Sequence, residues 1–205
     1  MKLSGKICIV TGAAGGIGYG IAKRYVQEGA KVAIADLKAD AANTAAAELT
    51  RMGPGEAIGV AMDVTSEAEV NQGIAAVAEK WGRIDVLVSN AGIQIVHRIE
   101  DFPFEDWKKM LAIHLDGAFL TIRACLPDML AQGWGRVIAV GSIAGLRGLK
   151  GGIGLPVFEF GGLGLPVFPL GGLGLPVSEF GGFGFHSPLP GTTAARFTQG
   201  CPSVP

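Results

Sequence analysis

Apolar residues along the first 141 positions follow two rhythms. Short, nearly continuous apolar runs, the kind that fill strands buried on both faces, occur at KICIV (6–10), KVAIAD (31–36), AIGVAM (57–62), IDVLVS (84–89) and RVIAV (136–140). Between them lie longer amphipathic segments of helical period, at about 16–29, 39–52, 66–80 and 104–130, the last bent or ended near Pro127. The third helix marks its own ends. Ser66 with Glu69 forms a capping box, Val70, Ile74, Val77 and Trp81 share one face, and Gly82 stops the helix. Strands alternating with helices predict an α/β fold, a doubly wound parallel sheet of about five strands with right-handed crossovers. Such sheets bind ligands beyond the carboxyl ends of their strands, so chemistry is to be sought at that edge.

From residue 151 the rhythm changes to a period of ten: GGIGLPVFEF, GGLGLPVFPL, GGLGLPVSEF, then a decayed GGFGFHSPLP. A Gly-Gly pair and a Pro in every unit exclude a helix of ordinary length. A mobile, sticky low-complexity tail is the favoured reading, and a small solenoid of short strands and turns is the other. Residues 151–205 hold three charged residues (Glu159, Glu179 and Arg196), no lysine and eight of the eleven prolines, so two kinds of sequence are joined. The expected division is a folded unit over 1–150 and a Gly-Leu-Pro repeat tail over 151–205 that is not an independent domain. Residues 160–178 carry no charge and match a membrane span in length, but their six glycines and three prolines argue against a spanning helix.

Composition narrows the partners. The chain has 205 residues, 49% of them hydrophobic, enough for one α/β domain with a core. Its net charge is −1 and its pI about 6.3, so the basic surface needed for nucleic acid or anionic membrane is absent. Small molecules are the expected partners. Cys8, Cys125 and Cys201 are odd in number, far apart and without a CxxC, which points to neither disulfide framework nor zinc site but to a reducing, cytoplasmic compartment. MKLSGKICIV reads as a first strand and not a signal peptide, because its apolar run ends at Thr11-Gly12.

TGAAGGIG (11–18) follows the first strand and opens the first helix. Gly12 permits a tight turn, Gly16 lets backbone approach a pyrophosphate at the helix N-terminus, and Gly18 lets helix and strand pack closely. The spacing is GxxxGxG, not the GxGxxG fingerprint, and on its own it is a weak signal, with a plain Gly-rich turn as the lesser alternative. Asp36 closes the second strand, where its carboxylate can accept from ribose hydroxyls; Asp63-Val64 closes the third and SNAG (89–92) the fourth. All lie at one edge of a Rossmann-like sheet.

Over residues 1–142 these motifs resemble the short-chain dehydrogenase/reductase family, and NAGIQIVHRIEDFPFEDWKKMLAIHLDGAFLTIRACLPDMLAQGWGRVI (90–138) is closest to its bacterial 3-hydroxybutyrate dehydrogenases. The resemblance implies that Gly12, Gly16, Ile17 and Gly18 hold a cofactor pyrophosphate, Asp63 and Val64 its adenine, and Asn90-Ala91-Gly92 its floor. It implies a hydroxy acid or ketone as substrate, with Gln94 at its carboxylate; an ordinary loop glutamine is the alternative. Asp36 would repel a 2′-phosphate, and Ala13 and Ala14 offer no basic residue to hold one, so NAD is expected over NADP, with Lys38 the dissenting residue.

In this family a Tyr takes the hydroxyl proton, its pKa lowered by a Lys four residues later, and a Ser thirteen residues before the Tyr bonds the substrate oxygen. Ser142 matches the serine. Leu155 and Glu159 stand where Tyr and Lys belong, and the only tyrosines are Tyr19 and Tyr25. His114 falls at the position of the family's catalytic Asn and is either a substitute base or a helix histidine that orients water or packs. Tyr19, beside the Gly-rich loop, reaches at most a phosphate. His97 and His186 are isolated, and no metal site is expected. Ala144 and Gly152 replace a His and a Lys that hold carboxylate in the hydroxybutyrate group, with Lys150 a partial substitute. Losing a general acid/base costs on the order of 10² to 10⁴ in rate, so weak or absent turnover is expected. Three descriptions follow: a dehydrogenase by descent whose C-terminal half was replaced through a frameshift, a chimera or an artefact; a nucleotide-binding pseudoenzyme; or a protein that self-associates through its tail and exposed apolar surface.

Overall fold

The computed structural model describes residues 1–141, the side chain of Ile99 excepted. The repeat tail therefore lies outside the described residues, as do Ser142, Ala144, Lys150, Gly152, Leu155, Glu159, His186 and Cys201. Five parallel strands form one sheet: β1 (Ile7–Thr11), β2 (Lys31–Asp36), β3 (Glu56–Ala61), β4 (Val86–Ser89) and β5 (Arg136–Ala139), in the order β3-β2-β1-β4-β5. Helices α1 (Gly16–Gln27), α2 (Ala39–Thr50), α3 (Glu67–Trp81), α4 (Phe104–Leu111) and α5 (Gly117–Ala131) connect them. The elements agree with the apolar runs to within a residue or two.

The strands carry two cores because alternate side chains point to opposite faces. Ile7 and Ile9 of β1 join Val70, Ile74 and Val77 of α3 and Cys125 and Met129 of α5 on one face. Cys8 and Val10 join Ala22 and Val26 of α1 and Ala42, Ala45, Ala46 and Leu49 of α2 on the other. A continuous apolar run is thus required of β1, and all five of its residues are buried. The first crossovers lead from β1 outward to β2 and β3, and the chain then returns to the other side of β1 to build β4 and β5. The reversal lies between β1 and β4, the place where such sheets open a crevice at their carboxyl ends.

Three details differ from the sequence expectation. The capping box is half formed: Glu69 N–H donates to Ser66 Oγ at 3.4 Å, but the Glu69 carboxylate reaches Asp63 N–H at 3.0 Å. Ser66 N–H is already used in a turn to Asp63 C=O at 3.0 Å, so the glutamate takes the next free donor. The long helix neither ends nor breaks at Pro127, which lies inside α5; its irregularity is a π-turn at Ala112–Asp116 between α4 and α5. That helical stretch, Phe104–Ala131, is long and apolar enough by composition to cross a membrane, and 28% of its apolar window is buried, with Cys125 and Met129 packed against the sheet.

Candidate nucleotide site

The carboxyl end of the sheet is held together by Thr11, the last residue of β1 and 1% exposed. Its Oγ1 accepts from the N–H groups of Asn90 and Ala91, each at 2.9 Å, and the Asn90 amide donates back to Thr11 C=O at 2.8 Å and Gly12 C=O at 3.2 Å. This bolts the SNAG turn to the Gly-rich loop. Sequence reasoning passed over Thr11, although a hydroxyl between an apolar strand and a glycine turn is a recognisable signal for a buried bridge.

Two glycines are required by that bolt. Gly12 has φ +61°, and a Cβ there would lie 2.9 Å from Ala91 Cα. A Cβ on Gly18 would meet Asn90 Nδ2 and Gly12 O at 2.5 Å each, so the close packing expected of Gly18 is against the loop and Asn90. Gly15 and Gly16 behave differently. A Cβ on either meets nothing within 4 Å, which leaves their backbone open to a ligand at the N-terminus of α1. Ile17 next to them is an apolar side chain left 69% exposed.

Asp36 lies at the end of β2 with Oδ2 accepting from Ala14 N–H at 3.0 Å. One carboxylate oxygen thus fixes the side chain against the glycine loop. Lys38 is exposed at the start of α2. Asp63 Oδ1 takes the Thr65 N–H and hydroxyl at 2.9 and 2.7 Å, a local turn that aims the Asp63-Val64 backbone. Val64 is buried and packs against Gly117 at the start of α5, where a Cβ would come within 2.8 Å of it.

His114 stands in the π-turn, its ring against Gly92, where a Cβ would lie 2.6 Å from Cε1. Its Nε2 is 2.8 Å from Ile93 C=O and 3.4 Å from Ile93 N. The imidazole therefore ties the loop after β4 to the long helix, and its Nε2 is engaged by backbone. Gln94 follows in that loop and is exposed. His97 is not isolated: its Nε2 lies 3.5 Å from Asp106 Oδ2 and its ring stacks edge-on against Phe102, because the loop folds back over the start of α4. No group of three or more metal-ligating side chains occurs among the described residues.

The tyrosines are placed away from proton transfer. Tyr19 donates to Glu48 of α2 at 3.2 Å rather than turning to the glycine loop, and burial followed by the Glu48 hydrogen bond and charge raises its pKa. Tyr25 packs into the α1–α2 core, where burial and then Cys8 raise its pKa too. A raised pKa is opposite to what a proton-accepting tyrosine needs.

The fold, the glycine turn and the SNAG bolt define an open α/β nucleotide-binding edge of the dehydrogenase kind. The short chain dehydrogenase family model matches residues 6–154, and the chain belongs to that family. It is 39% identical over 146 residues to an uncharacterized oxidoreductase of Bacillus subtilis, covering 71% of this chain and 56% of the relative. It is 37% identical over 142 residues to a D-beta-hydroxybutyrate dehydrogenase of Rhizobium meliloti, covering 69% and 55%. Among solved structures, an NAD+-bound xylitol dehydrogenase superimposes with a TM-score of 0.72 at 34% identity, over 77% of this chain and 60% of that one. The chain spans little more than half the length of these curated relatives. The family match runs past Ser142 and stops one position before Leu155, further than the motifs alone carried it.

Proposed function

We propose that residues 1–150 form an NAD-binding unit of a short-chain oxidoreductase whose proton-transfer pair is missing, so that the chain binds cofactor and turns over a small hydroxy acid weakly or not at all. The observation that carries this reading is Asp36, fixed by Ala14 N–H beside a glycine turn with open space above Gly15 and Gly16. A second carboxylate oxygen remains for ribose hydroxyls, and a 2′-phosphate at that carboxylate would be repelled, which favours NAD over NADP. When bound, NAD supplies the acceptor for a substrate hydride. Gly12, Gly16, Ile17 and Gly18 would then border the pyrophosphate, Asp63 and Val64 the adenine, and Asn90-Ala91-Gly92 the floor. Gln94, exposed in the loop after β4, would meet the substrate carboxylate.

The chemistry is where the chain falls short. Ser142 is present in sequence for the substrate oxygen, but Leu155 and Glu159 stand where its proton-transfer partners, a Tyr and a Lys, belong. His114 has Nε2 committed to Ile93 and serves this reading as the residue that orders the loop. The likeness to a D-beta-hydroxybutyrate dehydrogenase supports a 3-hydroxy acid as the ancestral substrate class. Buried free thiols at Cys8 and Cys125 support the cytoplasm. The alternative, association through the repeat tail, rests on composition.

Titration with NADH and an assay of 3-hydroxybutyrate with NAD+ as hydride acceptor test the two parts. The expected result is a saturable blue shift of NADH emission together with 3-hydroxybutyrate oxidation slower than that of a complete family member by at least about 10² to 10⁴. Absence of NADH binding would remove the nucleotide reading. Turnover at ordinary rates would remove the inactive one and return His114 to candidacy as the base.

A further inference from the structure

The outer edge of the sheet at β3 carries a groove that the nucleotide reading does not use. In a parallel ladder successive residues direct their N–H and C=O groups alternately to the two sides. Glu56 and Met62 donate inward, to Ala30 C=O at 3.2 Å and Asp36 C=O at 2.9 Å, so Ala57, Gly59 and Ala61 face outward. Ala57 is sealed: its N–H donates to Thr50 Oγ1 at 2.9 Å, and the same hydroxyl lies 3.3 Å from its C=O. The outward groups of Gly59 and Ala61 meet no partner among the described residues. They open on a groove of about 880 Å³, walled by Asn43, Ala46 and Ala47 of α2 and Gln72, Gly73 and Ala76 of α3.

Both helices lie close to the strand because glycine permits it. A Cβ on Gly59 would run into Asn43, and one on Gly73 into the Met62 methyl. The groove is therefore shallow, with small side chains on both walls, an ion pair at one end and a carboxylate at the other. Lys80 stands at the Glu56 end, 3.3 Å from that carboxylate. Glu69 stands at the other, on Asp63 N–H.

We propose that this edge is the docking surface for a second copy of the chain, β3 pairing antiparallel with β3 of the other copy about Val60. In that register Gly59 of each copy faces Ala61 of the other, and each pair exchanges both backbone hydrogen bonds. It is the arrangement that uses only unspent groups. Centring on Gly59 instead would set Ala61 against the sealed Ala57. The two-fold axis also carries Lys80 to the Glu69 of the other copy at both ends, where the ammonium paired with Glu56 would gain a second carboxylate. Two five-stranded sheets would become one.

Hydrogen exchange of the full-length chain at two concentrations reads the occupant directly. The expected result is that amides of Gly59 and Ala61 are protected at high concentration and lose protection on dilution, in step with dissociation seen by sedimentation. Protection that ignores dilution would mean that the chain's own residues 142–205 fill the groove, and absent protection would mean that nothing does; either result overturns the proposal. Ala61→Pro removes an outward donor at an exposed edge position and should raise the dimer dissociation constant roughly tenfold or more. Lys80→Glu, which keeps the strand intact, should raise it about threefold to tenfold at low salt, the difference shrinking as salt is added. Unchanged association in Lys80→Glu and in a folded Ala61→Pro would likewise overturn it.

Discussion

The two ends of the sheet are built from the same strands and solve opposite problems. At the amino end Asp85, 1% exposed, accepts from Ile7 N–H at 2.8 Å and Arg83 Nε at 3.0 Å, with Lys6 Nζ at 3.9 Å. Lys6 and Arg136 lie on the Trp134 ring at 3.5 and 5.1 Å, and Arg136 N–H donates to Asp85 C=O at 3.0 Å. One buried aspartate thus gathers β1 and Arg83 through its carboxylate and β5 through its backbone carbonyl, and spends its capacity inside the molecule. At the carboxyl end Thr11 and Asn90 join the loops to one another, but Gly15, Gly16, Ile17 and one side of Asp36 are left facing outward. Closed polar networks hold the fold and open ones receive ligand; here they sit at opposite ends of β1.

Substitution at the closed end gives the largest effect. Asp85→Ala strips a buried N–H of its acceptor and leaves Lys6 and Arg83 without their counter-charge, a loss of about 2 to 4 kcal/mol of unfolding free energy. Urea denaturation measures it. NADH affinity of the protein that remains folded should be unchanged, and a parallel loss of affinity would mean that the two ends are coupled.

Asp36→Ala inverts the pattern. The carboxylate holds only a partly buried Ala14 N–H, so stability should change by less than about 1 kcal/mol. The NADH dissociation constant should rise about tenfold, or ~1.4 kcal/mol. A stability loss as large as that of Asp85→Ala would show that Asp36 is structural and the open end is not a ligand site.

This contrast explains what was legible in the sequence. Continuous apolar runs reveal strands, and glycines reveal the loops that backbone must approach, because both depend on residue type at one position. β1 and β2 were read to within a residue for that reason. Asp85, Thr11 and the His97 contact with Asp106 were not, since each depends on a partner far off in the chain or across a folded loop: Ile7 is 78 positions from Asp85, and Thr11 is 79 from Asn90. The π-turn at His114 was missed as well. It is an irregularity of backbone hydrogen bonding inside a helical pattern, and the side-chain period on either side of it continues almost unbroken.

The smallest effect concerns Cys8, which lies on β1 next to the closed end. Burial, then the Asp85 carboxylate, push its thiol from an ordinary 9.0 up to about 12, with Lys6 opposing. In the unfolded chain the thiol ionises near its ordinary value, so above that pH the unfolded state holds fewer protons than the native one and stability falls as pH rises. The contribution is fully present below 9.0 and is lost progressively toward about 12, amounting to about 1 kcal/mol by about pH 9.5. Cys125, also pushed up by burial, adds a decline of the same sign. Comparing urea midpoints of the natural chain and Cys8→Ala from about pH 8 to about pH 9.5 separates the two. The variant should start less stable and lose less with alkali, and equal slopes would show that Cys8 is not held protonated. The same thiol should stay unreactive toward disulfide reagents until the sheet opens, because β1 is buried along its whole length. In Asp85→Ala one of the two influences that raise it is gone, so its ionisation should begin at lower pH, which ties the weakest of these effects to the strongest.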